Sequence, residues 1–392
     1  MRFNIWKDYE YMDLPDILSF IVDNRGKTVP TDVNGNHILI ATNCIRNENL
    51  YPSYDKVRLI GEDTYKNWFR AHPKPGDIIF VNKGTPGRVC MVPAPVDFCI
   101  AQDMIALRVK REIIYNKYLL AVLRSKKIQN QIAATTVGDV IPHFKKQQLR
   151  EIKIPVPPMK IQKVIGDYYF AFCEKEVINN KINRNLQEQA ASIYKKMILD
   201  APDECNEGVL SDIAEIIMGQ SPKGDTYNEE GKGTVFYQGR AEFGDRFPNR
   251  RLFTTDPKRI AKENSVLVSV RAPVGDINVA YEECCIGRGL SSVVSKDNHQ
   301  SFVLYTMFSL KDQFDVYNGE GTVFGSINKE SMNGMAIHIP NEKLMDEFEE
   351  IVSSMDAIIK ANYEENYRLV AARDALLPKL MSGELDILDL NI

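Results

Sequence analysis

Met159–Leu199 reads MKIQKVIGDYYFAFCEKEVINNKINRNLQEQAASIYKKMIL, and its apolar residues recur by alternating steps of four and three. Ile161, Ile165, Tyr168 and Phe172 give way to polar Lys175 and Asn179, then to Ile182, Leu186, Gln189 and Ile193. A second stretch of this kind covers 341–381, where Leu344, Phe348, Ile351, Met355 and Ile358 lead to Asn362, Glu365, Leu369, Ala372 and Leu376. Both are heptad seams with polar residues in the middle. Each predicts a helix of roughly 40 residues, about 60 Å long at 1.5 Å per residue. Such helices exceed what one globular domain needs, and the economical cover for each seam is the other helix. When the stretches are aligned, Asn179 falls on Asn362, and a pair of buried asparagines lowers stability while fixing register. The competing arrangement packs each helix only on its own neighbouring domain, and the persistence of the heptads argues against it.

The rest of the chain repeats around these stretches. Asp77-Ile78-Ile79-Phe80-Val81, leading to Thr85-Pro86-Gly87, is echoed by Ser265-Val266-Leu267-Val268-Ser269, leading to Arg271-Ala272-Pro273-Val274-Gly275. Cys99-Ile100-Ala101 is echoed by Cys285-Ile286-Gly287, Thr136–Ile141 by Thr322–Ile327, and Ile152–Pro155 by Ile337–Pro340. The offset is about 185 residues throughout, far longer than a solenoid repeat. It describes a duplicated unit of one globular domain and one long helix, alike in layout more than in identity.

With 392 residues, 44% of them hydrophobic and 26% charged, the chain can bury two cores. No apolar run reaches membrane-spanning length and no signal peptide is evident, so the expected location is the cytoplasm, away from any membrane. The seven cysteines show no CxxC or CxxH spacing, which predicts reduced, mostly buried thiols and no metal. A net charge of −4 rules out a uniformly basic surface. Nucleic-acid binding would need basic patches segregated from acid elsewhere.

In chain order, Leu14–Val22 reads as a helix and Gly26–Pro30 as a turn. His37–Ala41 and the segment after the Pro75-Gly76-Asp77 turn read as strands, and Asn82–Arg88 as a tight loop between strands. Ile114–Ser125 has helical spacing, and the strand Ile152–Val156 stops at Pro157-Pro158. In the second half, Met218–Lys223 takes the place of the Gly26–Pro30 turn. Phe236–Arg240 is a strand and turn, Val266–Val270 a strand, Ile286–Leu290 a glycine-rich turn and Phe302–Leu310 a helix. The fold class is α/β: two similar mixed domains with two long antiparallel coiled-coil helices. The divisions fall at 1–157, 158–200, 201–340 and 341–392.

This layout, with Met218-Gly219-Gln220-Ser221-Pro222, Ser269–Gly275, Cys285–Leu290 and the ending Leu376-Leu377-Pro378-Lys379-Leu380-Met381-Ser382-Gly383-Glu384-Leu385, resembles the specificity subunit of Type I restriction-modification systems. The resemblance covers the whole chain and is weakest in the first domain, where Gly26-Lys27-Thr28-Val29-Pro30 departs by one residue from the usual pattern. It implies a non-catalytic DNA reader with pseudo-twofold symmetry. Each target recognition domain would read one half of a bipartite, asymmetric double-stranded DNA site, and the helices would measure the spacer. It also implies two modification (methyltransferase) subunits, which hold S-adenosylmethionine, and restriction (endonuclease/translocase) subunits as partners; this chain itself would bind no cofactor.

Polar and cationic side chains on strand-end loops can reach phosphates and groove edges, with Arg suited to guanine and Asn or Gln to adenine. The candidates in the first domain are Lys27, Thr28, Asn43, Arg46, Lys83 and Arg88. In the second they are Gln220, Ser221, Lys223, Gln238, Arg240, Arg250, Arg251, Arg271 and Arg288. For each, the plain alternative is a solvated surface residue. The neighbouring glycines and prolines read as turn formers.

Enzyme chemistry finds no foothold in the sequence. An amino-methyltransferase motif of the Asn-Pro-Pro-aromatic type is absent, because Pro157-Pro158 is flanked by Val156 and Met159. Gly287-Arg288-Gly289 lacks a third glycine at dinucleotide spacing. The acidic residue that a nuclease would place two before Lys83 is Val81. The alternative function is a structural coiled-coil tether or protein-binding scaffold without DNA readout.

Overall fold

The computed structural model describes residues 3–24, 26–136, 142–200, 204–318 and 325–385. The chain divides into two compact units, Met1–Asn179 with Glu364–Ile392, and Asn180–Tyr363. Both long helices therefore begin in one unit and end in the other.

In the first unit, a four-stranded antiparallel sheet has the order Leu18–Asp23, Met104–Val109, Ile78–Val81, Val89–Met91. A second sheet sets His37–Ile40 between antiparallel Arg58–Ile60 and parallel Phe98–Ile100. Successive side chains on a strand point to opposite faces, and the strand Ile78–Val81 uses both. Ile78 and Phe80 enter a core shared with the helices, while Ile79 and Val81 enter the core under the second sheet. That is why the run has no polar alternation.

The second unit repeats this architecture. Its four-stranded sheet is ordered Ala214–Met218, Leu290–Ser295, Val266–Ser269, Ile277–Val279. Its second sheet again pairs Thr234–Tyr237 in parallel with Cys284–Ile286, flanked by the short strands Phe253–Thr254 and Ile260–Ala261. Val266 and Val268 face the helix side, and Leu267 the other core. Each unit is tied by one further ladder: Tyr11–Asp13 with Lys153–Pro155, and Cys205–Val209 with Ala336–Pro340. The duplication read from the sequence is thus a duplication of strand order. The echo between Thr136–Ile141 and Thr322–Ile327 falls largely on 137–141 and 322–324, outside the described residues.

Leu14–Val22 is not a helix. Leu14–Ile17 form one 3-10 turn with Pro15 near its start, and Leu18–Asp23 is a strand. Proline suits only the first turn of a helix. The strand registers against Met104–Val109 and buries Leu18 and Val22, so sheet pairing overrides the local apolar spacing.

The long helices run over Met159–Tyr194, extended through Lys195–Leu199, and over Glu342–Ser382. Pro378 lies inside the second helix, near its end. Gly166 marks a close approach: a Cβ there would lie 2.6 Å from the backbone nitrogen of Tyr118, on the helix Asn116–Arg124. Buried Gln162 anchors the same junction, accepting from the Tyr115 amide at 2.8 Å and donating to the Pro157 carbonyl at 2.8 Å.

Within each unit the two helices pack antiparallel, but the seam sits about one residue later than the heptads suggest. In the first unit Ile165, Tyr169, Phe170 and Cys173 are buried together with Met381. In the second, Ala190 and Tyr194 are buried with Phe348, Val352 and Ile359. Of the expected seam, Ile165, Asn179 and Phe348 are fully buried, and Ile161, Leu186, Ile193, Leu344 and Met355 pack at core margins. Tyr168 and Phe172 are half-buried and stack on each other edge to face at 4.9 Å. Leu369 and Leu376 are half-buried. Ile182, Ile351 and Ile358 are exposed, by 41%, 44% and 47%. The shift arises because each half-helix packs against its own sheet core as well as against the other helix.

Asn179 and Asn362 do not pair with each other. Asn179 donates to Asn366 Oδ1 at 2.9 Å and to Glu365 Oε2 at 2.8 Å, while Asn362 donates to Asn183 Oδ1 at 2.8 Å. In an antiparallel pair, equivalent positions of the two repeats stand opposite only at the midpoint, and Asn179 and Asn362 lie half a turn away from it. Each asparagine instead meets the residue equivalent to one a helical turn beyond the other.

Candidate nucleic-acid interface

The strand topology brings one end of the sheets together in each unit. In the second unit, strand Thr234–Tyr237 ends at Gln238, strand Val266–Ser269 leads to Arg271, strand Cys284–Ile286 leads to Arg288, and strand Ala214–Met218 leads to Gln220 and Ser221. These ends line a cleft of about 430 Å³ that contains Ser221, Gln238, Arg240, Arg251, Arg271 and Arg288. Six of the nine second-unit candidates therefore share one site. Gln220 and Lys223 are exposed on the adjoining loop. Arg250 lies outside the cleft lining, paired with Glu282 at 2.5 Å and stacked over Tyr281.

Glycines build this end by close approach as well as by turning: Gly287-Arg288-Gly289-Leu290 is a turn, with the Leu290 amide donating to the Gly287 carbonyl at 3.0 Å. A Cβ on Gly219 would lie 2.2 Å from the Gly287 carbonyl oxygen, and one on Gly289 would lie 2.8 Å from that of Gln238. Neither has positive φ, so at these two positions glycine is required by the close approach and not by a left-handed backbone. Gly275 is a turn former, with φ of +87°.

The arginines of the cleft divide by partner. Arg240 is paired with Asp276, and Arg251 with Glu242 at 2.8 Å and Glu229 at 3.2 Å. Arg271 holds its place through a backbone bridge to Ser326, and the Arg288 amide donates to Ser221 Oγ at 3.2 Å. Among the described residues neither guanidinium has an ion-pair partner. Glu242, which the sequence did not single out, also lines the cleft; it is 5% exposed, and its Oε2 lacks a hydrogen-bond partner among the described residues.

In the first unit the candidates form two groups. Asn43 and Arg46 converge on Asp55: the amide donates to its carbonyl, and the guanidinium lies 3.3 Å from its carboxylate. Lys83 bridges to His143 through the backbone, as Arg271 does to Ser326, and its ammonium lies 3.8 Å from Asp103. Arg88 is half-buried on the following hairpin, and Lys27 and Thr28 are exposed. The position equivalent to Arg288 is held by Gln102, which the echo of Cys99-Ile100-Ala101 with Cys285-Ile286-Gly287 could have flagged. Asn24 Oδ1, Asn82 Oδ1, Gln102 Oε1 and His143 Nδ1 are buried without partners among the described residues. They all lie at this strand end, where Asn24 donates to the Ile100 carbonyl and the Asn82 amide to that of Asp103.

A family model for the Type I restriction modification DNA specificity domain matches residues 6–188 and 202–369. The chain belongs to that family. Over 340 residues this specificity subunit is 30% identical to a Methanocaldococcus jannaschii chain named for the specificity subunit of the type I restriction enzyme MjaX, covering 80% of this chain and 79% of that one. The MjaIX specificity subunit of the same organism is 21% identical over 351 residues, covering 82% and 80%. The type I restriction-modification S subunit of M. genitalium shares the fold, with a TM-score of 0.61 at 16% identity over 95% of this chain and 96% of that one.

The specificity subunit is the non-catalytic member of such a system. Six of the seven free cysteines are buried, and burial pushes the thiols of Cys90, Cys99 and Cys284 up to about 12, so they stay protonated near neutral pH. Among the described residues, no three His, Cys, Asp or Glu side chains gather as a metal site. Nor is any described helix long and apolar enough to cross a membrane.

Proposed function

We propose that each unit of this specificity subunit reads one half of a bipartite, asymmetric DNA duplex target. The two long helices set the unread spacer and dock two modification subunits, with restriction subunits joining them. S-adenosylmethionine belongs to the modification subunits in this reading.

One observation carries the proposal: both units present the same strand ends, at the same backbone positions, with different polar side chains. Phosphate contacts position a reader and base-edge contacts specify sequence. A repeated scaffold with altered side chains is what two different half-sites require. The net charge of −4 makes local clusters such as the arginine cleft the source of attraction. Each long helix passes from one unit into the other as a continuous element, so helix length has a direct bearing on half-site spacing, which in duplex DNA follows the helical turn.

Replacing residues 1–157 by the matching region of another specificity subunit should change one half of the methylated sequence and leave the other intact. Sequencing of methylated positions in cells that carry the chain with its modification subunit reads this out. A change in both halves contradicts independent reading. Inserting four residues beside Asn180 should lengthen the tolerated spacer or abolish assembly, and an assembled complex with unchanged spacing removes the ruler. A plain tether predicts no sequence preference and no steep salt dependence of duplex binding.

A further inference from the structure

We propose that the cleft of the second unit reads a G·C base pair, with Arg271 and Arg288 addressing the guanine and Glu242 the cytosine. This rests on the DNA-reading function above and names the chemistry of one half-site. A G·C pair offers two acceptors on guanine, N7 and O6, and one donor on cytosine, the N4 amino group, along its major-groove edge. Reading it takes fixed N–H donors beside an acceptor.

The cleft supplies both, and the ion pairs show which groups are committed elsewhere. Arg240 is neutralised by Asp276 and Arg251 by Glu229 and Glu242. Arg271 and Arg288 line the same cleft, exposed and without ion-pair partners among the described residues. Their backbones are fixed by the bridge to Ser326 and the hydrogen bond to Ser221, so little loop ordering remains at binding. Guanidinium is the side chain best matched to the paired acceptors of guanine.

Glu242 supplies the acceptor. Its Oε1 accepts from Arg251, while Oε2 is buried and unpartnered in a side chain only 5% exposed. A buried carboxylate oxygen without a donor is costly. Oε2 is closed to solvent in the free chain, and once the exposed Arg251 side chain paired with this carboxylate moves aside, a cytosine amino group would satisfy it. Thymine, with a carbonyl at that place, would set acceptor against acceptor. An A·T pair in this orientation is therefore rejected on both strands.

The test is a selection from a pool of randomised duplexes by the full-length chain bound to its modification subunit. The wild-type pool should hold an invariant G·C pair in one half. Arg271→Ala and Arg288→Ala should each lower the preference for that pair roughly 10- to 100-fold and leave the other half unaltered. The isosteric Glu242→Gln should relax the choice of pyrimidine. Lys223→Ala, on the loop outside the cleft lining, should weaken all sequences alike. A bipartite pool that lacks the G·C pair, or keeps it unchanged in both arginine variants, overturns this inference and leaves the DNA-reading function standing. A wild-type pool with no preference at either half overturns both.

Discussion

The end of strand Ile78–Val81 in the first unit and the end of Val266–Ser269 in the second are the same place in a duplicated fold, and they differ in how charge is held. Lys83 and Arg271 occupy one backbone position, each bridged to a returning segment, at His143 and Ser326. Lys83 lies near Asp103, whereas Arg271 has no ion-pair partner among the described residues. Gln102 stands where the second unit has Arg288, and Ala41 where it has Gln238. At the opposite end of the same strands, Asp77 is buried in a bidentate pair with Arg108, at 2.9 and 2.8 Å. There the second unit has the buried, neutral Ser265, donating to the Lys262 carbonyl at 2.6 Å. Register and burial are repeated because they hold the sheets together. The exposed side chains at the cleft end of these strands bear no such load and are free to diverge.

The largest expected break in this symmetry is at the buried ion pair. Arg108→Ala strands the Asp77 carboxylate and should cost about 3 kcal/mol of stability. Ser265→Ala at the equivalent place should cost about 1 kcal/mol or less. Denaturant titration of the two variants measures the gap, and equal losses would show that the units do not differ there.

A smaller contrast concerns the turn that follows the first sheet strand. Gly219→Ala drives a Cβ into the Gly287 carbonyl and should destabilise the second unit by about 1–3 kcal/mol. Gly26 has positive φ and open space around its Cβ position, so Gly26→Ala should cost only about 1 kcal/mol of backbone strain. Thermal melts of both variants would expose any reversal of that order.

Smallest is the difference between the equivalent cations. Arg271→Ala should weaken target binding about tenfold, in line with loss of one good base contact. Lys83→Ala, already partly neutralised by Asp103, should weaken it only a few-fold and act on the slope with salt. Gel-shift titrations over a salt series, with the modification subunit present, separate the two. Equal losses would mean that Lys83 is as free to contact DNA as Arg271.

Much of the architecture was legible in the chain. Helices of about 40 residues follow from heptads that no single domain would need. The duplicated domains follow from echoes such as Cys99-Ile100-Ala101 with Cys285-Ile286-Gly287. Less legible was Leu14–Val22, whose spacing mimics a helix until its pairing with Met104–Val109 is known. The seam positions Ile182, Ile351 and Ile358 misled because helical spacing identifies an apolar stripe without saying what covers it. Glu242 left no sequence signal at all, since a carboxylate in a loop is ordinarily solvated.

The sequence by itself determined that this protein is two copies of a domain-and-helix unit, because hydrophobic period and repeated turn residues are local properties that survive without a partner. Tertiary structure alone decided that Asn179 faces Asn366 rather than Asn362, that Arg240 and Arg251 are spent on carboxylates while Arg271 and Arg288 are not, and that Glu242 is buried. Those outcomes depend on which distant segments meet, and pairing energies between residues far apart in the chain leave no periodic trace along it.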